Sequence, residues 1–156
     1  MAPRLEVRIQ SDDFDAAAET ARLTEGLGDV GAIVTFTGVC RADSDRLAAL
    51  ELEHYPGMAE AEIRRICAEA AHRWPVLALS AIHRIGVIRP GENIVLVAAA
   101  SAHRQAAFDA AGFVMDFLKS RAPFWKKEHL ADGTAGSWVD AKESDEEALT
   151  RWSLPD

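Results

Sequence analysis

Cysteine and long apolar runs are scarce in this sequence of 156 residues, and their scarcity excludes several classes of protein. The only two cysteines, Cys40 and Cys67, form no CxxC pair and suggest no zinc site, so we expect two reduced, structural thiols. No apolar run approaches the roughly 18 residues that a membrane span needs. The N-terminal stretch MAPRLEVRIQ also lacks the apolar segment of a secretory signal. We therefore expect a cytoplasmic protein that does not cross a membrane.

Positive charge is also in short supply. The chain has 17 Lys and Arg residues against 25 Asp and Glu residues, which gives a formal net charge of −8. Nucleic-acid binders neutralise phosphates with cations, so we expect no nucleic-acid partner, although a local basic pocket for a small anion fits this balance. The sequence has no Gly-rich phosphate loop, no nucleophile elbow and no group of histidines with metal-ligand spacing. We expect neither a bound metal nor a cofactor.

The length and the hydrophobic pattern predict the fold class. A chain of this size fits one domain, here 1–156. Alternating or β-branched segments predict strands at 4–10, 31–39, 47–55, 76–88, 93–101 and 137–140. Helices are predicted at 12–28, 58–74, 102–121 and 143–152. Residues 89–92, Arg-Pro-Gly-Glu, suit a type II turn between two strands of a hairpin. This order predicts an α+β fold in which a mixed sheet combines hairpins and crossover helices.

The stretch FLKSRAPFWKKE, residues 117–128, concentrates positive charge in this acidic chain. Its cations are interleaved with Phe124 and Trp125, and they are Lys119, Arg121, Lys126 and Lys127. Helical spacing places Lys119 between an apolar strip and a polar strip, which predicts either a partly desolvated base, nucleophile or anion anchor, or a surface pair with Asp116. Pro123 redirects the chain, so we expect the last two lysines on a loop that folds back. This loop either contacts a flat anionic ligand or is merely solvated.

A second candidate anion site lies at the start of the long helix. Ser101 is placed to cap that helix, with His103 and Arg104 in its first turn, where unpaired N–H groups and the helix dipole favour anions. The alternative is a simple cap whose arginine pairs with a surface acid. Arg41 follows the end of a predicted strand and is compatible with anion binding. His54 and His83 lie in strand segments, where we expect structural hydrogen bonds.

The chain resembles the large, catalytic subunit of molybdopterin synthase over residues 30–152. The stretches that carry this resemblance are, in order, GAIVTFTGVCR, LELEHYPGMAE, RWPVLALSAIHRIGVIRPGE, SAHRQAAFDAAGFVMDFLKSRAPFWKKE and WVDAKESDEE. Each stretch alone is modest evidence, and all of them in this order are specific. The resemblance implies an α/β hammerhead fold and a homodimer. It also implies that each end of the dimer takes one small ubiquitin-like carrier protein, which gives a heterotetramer.

The resemblance also implies a reaction and the residues that perform it. The carrier's Gly-Gly tail ends in a thiocarboxylate, whose sulfur passes to cyclic pyranopterin monophosphate to form the dithiolene of molybdopterin. Lys119 and Lys126 match the active-site lysines of the family, while Arg41, His103 and Arg104 match its substrate- and anion-binding positions. We add Lys127, on the same basic stretch, as a substrate-binding residue. The two ends of the long helix are about 22 Å apart, which favours a site shared across the dimer over one elongated pocket.

The sequence departs from the family pattern at three places, and two rival functions are also compatible with it. Val39-Cys40 stands where the family often has Lys-Val, 42–45 replaces an Asn- and Gly-containing loop, and Lys142 replaces an arginine and loses its bidentate fork. One rival is a non-catalytic module that docks a ubiquitin-like protein or a phosphorylated metabolite. The other is a persulfide sulfurtransferase that works through Cys40, which is otherwise a small strand residue.

Overall fold

The computed structural model describes residues 2–139 and 148–153. Its strands are β1 (Arg4–Gln10), β2 (Ala32–Val39), β3 (Leu47–His54), β4 (Val76–Arg84), β5 (Gly86–Ile88), β6 (Asn93–Ser101) and β7 (Phe124–Leu130). Its helices are α1 (Ala16–Leu23), α2 (Met58–Arg73) and α3 (Arg104–Arg121), followed by a 3-10 turn, Leu149–Trp152. The predicted α+β class with a mixed sheet is confirmed. No helix in the described ranges is long and apolar enough to cross a membrane.

The larger sheet has four strands and helices on both faces. Its order is β1-β4-β6-β2, with β1 parallel to β4 and the other neighbours antiparallel. Side chains alternate between the two faces along each strand, so each face of the sheet has its own core cluster. Leu79, Ala81 and Val97 face α2 and α3, whereas Ala78 and Ala98 pack with Leu23 of α1. Strands with helices on both faces must be apolar on both faces, which explains the continuous apolar runs of β4 and β6.

A smaller sheet, ordered β5-β3-β7, carries the basic stretch. Its core cluster contains Cys40, Leu47, Leu52 and Ile88. The predicted loop after Pro123 is therefore wrong, because 124–130 pairs antiparallel with β3 over its whole length. The predicted strand 76–88 is divided in two, because Gly86 has a positive φ of 83° at the point where the chain moves from one sheet to the other. Glycine tolerates this conformation at no steric cost.

Three local predictions have different outcomes. The type II turn is confirmed, since Gly91 has a φ of 90° and the amide of Glu92 donates to the carbonyl of Arg89 at 3.0 Å. The hairpin predicted around it is wrong, because the flanking strands β5 and β6 lie in different sheets. Ser101 as helix cap is wrong, since His103 occupies the N-cap position without a side-chain hydrogen bond. The Ser101 hydroxyl instead donates to the carbonyl of Pro75 at 2.8 Å. The Ser101 hydroxyl is buried at the end of β6 and needs a hydrogen-bond partner there, so it bonds to Pro75 and does not cap the helix.

The predicted elements near the C-terminus are only partly covered. The predicted helix at 143–152 and the predicted strand at 137–140 extend into 140–147, and Lys142 also lies there, outside the described residues. Within the described part, Val139 forms an isolated bridge with Lys126. The 3-10 turn packs against α3, where the indole Nε1 of Trp152 donates to the carboxylate of Asp116 at 2.6 Å. Arg151 pairs with the same carboxylate.

Candidate active site

A cavity of about 510 Å³ lies where the two sheets meet the C-terminal end of α3. It contains three of the predicted site residues: Lys119, Lys126 and Arg41. Each comes from a different element, namely the last turn of α3, strand β7 and the segment after β2. The remaining wall is largely apolar and includes Phe36, Leu118, Phe124 and Trp125. A concave, mostly apolar space with a few convergent cations suits an anionic ligand that has a flat apolar body.

The chain reversal at Pro123 brings the two lysines to one cavity. Helix α3 ends at Arg121, and Ala122 adopts an extended conformation with ψ at 131°, as expected before a proline. Strand β7 begins at once and pairs with β3, which places Lys126 opposite Leu52. The backbone of Lys126 also exchanges two hydrogen bonds with Val139, at 3.0 and 2.7 Å. A strand bonded on both sides holds this lysine more firmly than the expected loop.

Lys119 is exposed at the cavity, where the sequence predicted partial desolvation. The alternative surface pair with Asp116 is also wrong, because that carboxylate binds Arg151 and Trp152. Among the residues that the structure describes, none forms a hydrogen bond or an ion pair with the Lys119 side chain. The ammonium group is therefore available to a ligand, and its position does not depend on an internal acid.

His83 is a site residue that the sequence did not single out. Its side chain is buried at the end of β4, it lines the cavity, and its ring stacks on Phe124 with centroids 3.9 Å apart and planes at 13°. Its Nδ1 lies 2.8 Å from the carbonyl oxygen of Arg84, which confirms the expected hydrogen bond. Burial, together with the nearby charges of His54 and Lys119, lowers the pKa of His83 to about 4. The imidazole is therefore neutral at neutral pH.

His54 does not make the hydrogen bond that the sequence predicted. Its Nδ1 is buried without a hydrogen-bond partner, and the nearest carboxylate, that of Glu53, is 3.8 Å away. Its ring stacks at a longer distance on the same phenylalanine, with its centroid 6.3 Å from that of Phe124. His54 does not line the cavity.

Arg41 lies beside an unusual turn at the cavity rim. Asp43, Ser44 and Asp45 all have positive φ, between 52° and 63°, which is rare for residues other than glycine. Arg46 holds this turn against β7, because its guanidinium contacts Asp43 at 2.6 Å and Glu128 at 3.0 Å. Both acids are thereby paired, and the exposed Arg41 remains the cation of this rim.

Lys127 lies outside the cavity lining, in contrast to its neighbour Lys126. Successive residues of a strand point to opposite faces. The ammonium of Lys127 lies 5.5 Å from the ring centroid of Trp138, in a cation–π contact. Its predicted role in substrate binding therefore gains no support from the geometry of this cavity, and it stays a prediction.

His103 and Arg104 lie at the opposite end of α3, outside the cavity. Fifteen residues separate Arg104 from Lys119, which corresponds to about 22 Å along the helix. Both side chains are exposed. Their turn packs tightly on the start of β2, since a Cβ on Gly31 would lie only 2.2 Å from the carbonyl oxygen of Ala102. Within one chain the two ends of the helix do not form one site.

Cys40 is poorly suited to carry a persulfide. It lines the cavity, but it is only 3% exposed. Burial raises the pKa of its thiol, and the charge of Glu92 raises it further. A nucleophilic cysteine needs the opposite, an electropositive and accessible setting that favours the thiolate.

We therefore expect Cys40→Ser to retain sulfur transfer within about threefold of the parent rate, since serine nearly conserves the side-chain volume. The measurement is single-turnover transfer from a thiocarboxylated carrier. Complete loss of transfer in a variant with an unchanged circular dichroism spectrum would support the persulfide route instead.

Comparison with known proteins identifies the family. The profile of the family described as "MoaE protein" matches residues 9–121. A relative from Mesorhizobium japonicum, named molybdopterin synthase catalytic subunit, is 69% identical over 146 residues, which cover 94% of this chain and 92% of the relative. A relative of the same name from Brucella melitensis is 61% identical over 151 residues, covering 97% and 93%.

Solved structures agree with this assignment. Molybdopterin cofactor biosynthesis protein E from Burkholderia multivorans superimposes with a TM-score of 0.84 and 45% identity, covering 98% of this chain and 99% of that one. Molybdopterin synthase from Staphylococcus aureus gives a TM-score of 0.74 at 29% identity, covering 84% and 94%. The family's shared name is that of a catalytic subunit, so the rival interpretation as a non-catalytic docking module loses its basis. This chain therefore belongs to the MoaE family, the catalytic subunits of molybdopterin synthase.

Proposed function

We propose that this chain transfers sulfur from the C-terminal thiocarboxylate of a small ubiquitin-like carrier protein to cyclic pyranopterin monophosphate, and that the cavity described above is the reaction site. The observation that carries the proposal is the convergence of Lys119, Lys126 and Arg41 on one largely apolar cavity in a chain of this family. The product is the dithiolene of molybdopterin, an intermediate of molybdenum cofactor biosynthesis. We treat 1–156 as one domain for this function.

The cavity offers each part of the reactants a suitable environment. A thiocarboxylate on a Gly-Gly tail is thin, extended and negatively charged, so backbone hydrogen bonds and cations must supply its affinity. The Lys119 ammonium group has no partner within the described part of the chain, and it stabilises the charge that develops as sulfur leaves the acyl carbon. Phe36, which is 41% exposed, and Trp125 provide apolar faces for the flat pterin. Lys126 and Arg41 are the other two cations that line the cavity, and we assign the phosphate to them.

The direct test combines the purified chain, a thiocarboxylated carrier and pyranopterin monophosphate. We expect a dithiolene pterin to form. We also expect Lys126→Ala to slow its formation, and to weaken substrate binding more than Lys119→Ala does. Formation of the dithiolene at the same rate without the chain would refute the proposal. Tight carrier binding without any product would instead favour a docking function.

The assembly is part of the same proposal. We infer a homodimer that binds one carrier at each end, and a cytoplasmic location, which the two unpaired thiols Cys40 and Cys67 support. His103 and Arg104 are substrate-binding in this scheme. Since about 22 Å of helix separates them from Lys119, we assign them to the site of the partner subunit, where the start of α3 and an exposed arginine bind an anion.

Mixed dimers test this assignment. A dimer that combines an Arg104→Ala chain with a Lys119→Ala chain has both defects in one site and none in the other if the sites are shared. We therefore expect mixed dimers to regain about half of the parent activity per dimer, while each homodimeric variant stays impaired. If isolated mixed dimers show no recovery, both residues serve a site within one chain, and the assignment is wrong.

A further inference from the structure

The transferred sulfur leaves the carrier's acyl carbon, so that carbon must receive another nucleophile. Water is the simplest candidate, because its attack leaves the carrier with an ordinary carboxylate. Once sulfur is bonded both to the acyl carbon and to the pterin, the adduct is a thioester. Its hydrolysis needs a group that accepts a proton from the attacking water. This reasoning rests on the function proposed above.

Most polar groups of the cavity are unsuited to accept this proton. The cations Lys119, Lys126 and Arg41 are donors only. The carboxylates of Asp43 and Glu128 are both paired with Arg46. Cys40 is buried, and its thiol is protonated. Among the described residues that line the cavity, His83 is the one imidazole.

The surroundings of His83 determine which of its nitrogens is available. A carbonyl oxygen is only an acceptor, so the 2.8 Å contact with Arg84 requires the proton on Nδ1. The lone pair of the neutral ring is therefore on Nε2. No described residue hydrogen-bonds to Nε2. Nε2 is also not one of the fully buried atoms that lack a partner, so it is open to the cavity. The stack with Phe124 fixes the plane of the ring.

We propose that His83 is the general base that activates water for release of the carrier. As the oxygen of water forms its bond to the acyl carbon, Nε2 takes the proton. The bond between the acyl carbon and sulfur then breaks. The electron pair stays on sulfur as a pterin thiolate that faces the Lys119 ammonium. The carrier leaves as a carboxylic acid that ionises to a carboxylate, and both this proton and the proton on the imidazolium pass to solvent.

The charges around His83 suit this role. Two groups on the surrounding elements act on its charge, Lys119 on α3 and His54 on β3. The other charged residues that line the same cavity are Lys126 and Glu128 on β7, and Arg41 and Asp43 after β2. The guanidinium of Arg84 is directed instead at the carbonyls of Ser11 and Asn93. Burial keeps the pKa of His83 low. An anionic thiocarboxylate and phosphate in the cavity raise that pKa and make the ring a stronger base.

The test follows a single turnover of thiocarboxylated carrier and pyranopterin monophosphate by mass spectrometry. His83→Phe keeps a stacking ring without nitrogens, and His83→Gln keeps a polar group that accepts no proton. We expect both variants to slow carrier release by about 100- to 10,000-fold and to accumulate the carrier–pterin adduct. His54→Phe is the matched control, because it removes a neighbouring, half-buried histidine outside the cavity, and we expect it to stay within about threefold of the parent.

Two results would overturn this role for His83: release at the parent rate in His83→Phe, or loss of turnover without accumulated adduct. If the variants do not fold, the parent chain gives the answer. Decay of its adduct must slow as pH falls through one ionisation, and must slow in D₂O; a flat profile without an isotope effect contradicts the role. A parent chain that forms neither adduct nor product refutes the proposed function, and the role of His83 falls with it.

Discussion

Replacement of Lys119 by alanine is expected to lower the rate of single-turnover sulfur transfer by about 100- to 1000-fold, the usual cost of removing charge stabilisation at a reacting centre. The structure makes this a clean experiment. The side chain is exposed and has no partner among the described residues, so its truncation leaves no buried group unsatisfied. Alanine also favours the helical conformation of α3. The melting temperature and the circular dichroism spectrum should therefore match those of the parent chain.

The matched control is Arg65→Ala, which removes an exposed cation from helix α2. Among the described residues, the ion pair of Arg65 is with Glu62, three residues earlier on the same helix, and Arg65 lies outside the cavity. We expect its transfer rate to equal that of the parent, because exposed ion pairs contribute little. If Lys119→Ala transfers sulfur at nearly the rate of this control, Lys119 is not the group that stabilises the departing sulfur.

Removal of the last two glycines from the carrier is expected to abolish transfer and to weaken carrier binding clearly. The tail is the only part of a folded carrier that is thin enough to enter a cavity bounded by Trp125, Val139 and Lys126. The whole chain has a formal net charge of −8, and the basic stretch 117–128 is positive, so the chain repels an acidic carrier except at this stretch. Calorimetric titration of the full-length and truncated carriers measures the difference.

Salt dependence separates the contribution of charge from that of shape. Added salt screens the attraction between the tail and the basic stretch, so the association rate should fall as ionic strength rises. A variant with Lys126→Ala should show a weaker salt dependence. Equal affinity for both carriers, together with association that ignores salt, would show that the tail is received elsewhere.

Local patterns carried the fold prediction furthest. Alternation predicted β1. An acidic start and a glycine end predicted α1, which is shorter than the predicted 12–28, and the Pro-Gly turn before α2 and the proline after it predicted α2 closely. Strand β7 was missed because its stability comes from pairing with β3, more than 70 residues earlier, whereas its own sequence is charged and follows a proline. The cap at Ser101 was missed for a similar reason, since its hydroxyl has a better partner in Pro75. Such choices depend on tertiary neighbours that a local window does not contain.

The residues of the candidate site also fall into two groups, those that the sequence identified and one that only the structure identified. Charge clustering and the family resemblance identified Lys119 and Lys126, and the structure explains how the reversal at Pro123 brings them together. The sequence also contained information about His83. Side chains alternate along a strand, so His83 lies on the same face of β4 as Leu79 and Ala81, which packs against α3. What made it a candidate site residue is the stack on Phe124, 41 residues later, and the open cavity. Neither feature is visible in local sequence.

The most direct test of the central claim traces the sulfur atom itself. A carrier whose thiocarboxylate contains ³⁴S is mixed with this chain and pyranopterin monophosphate, and the pterin product and both proteins are then weighed by mass spectrometry. We predict that both sulfurs of the dithiolene are ³⁴S, that the released carrier ends in a carboxylate, and that neither Cys40 nor Cys67 gains mass. A dithiolene without the label, or label retained on a cysteine of this chain, would contradict direct transfer at the Lys119–Lys126 cavity.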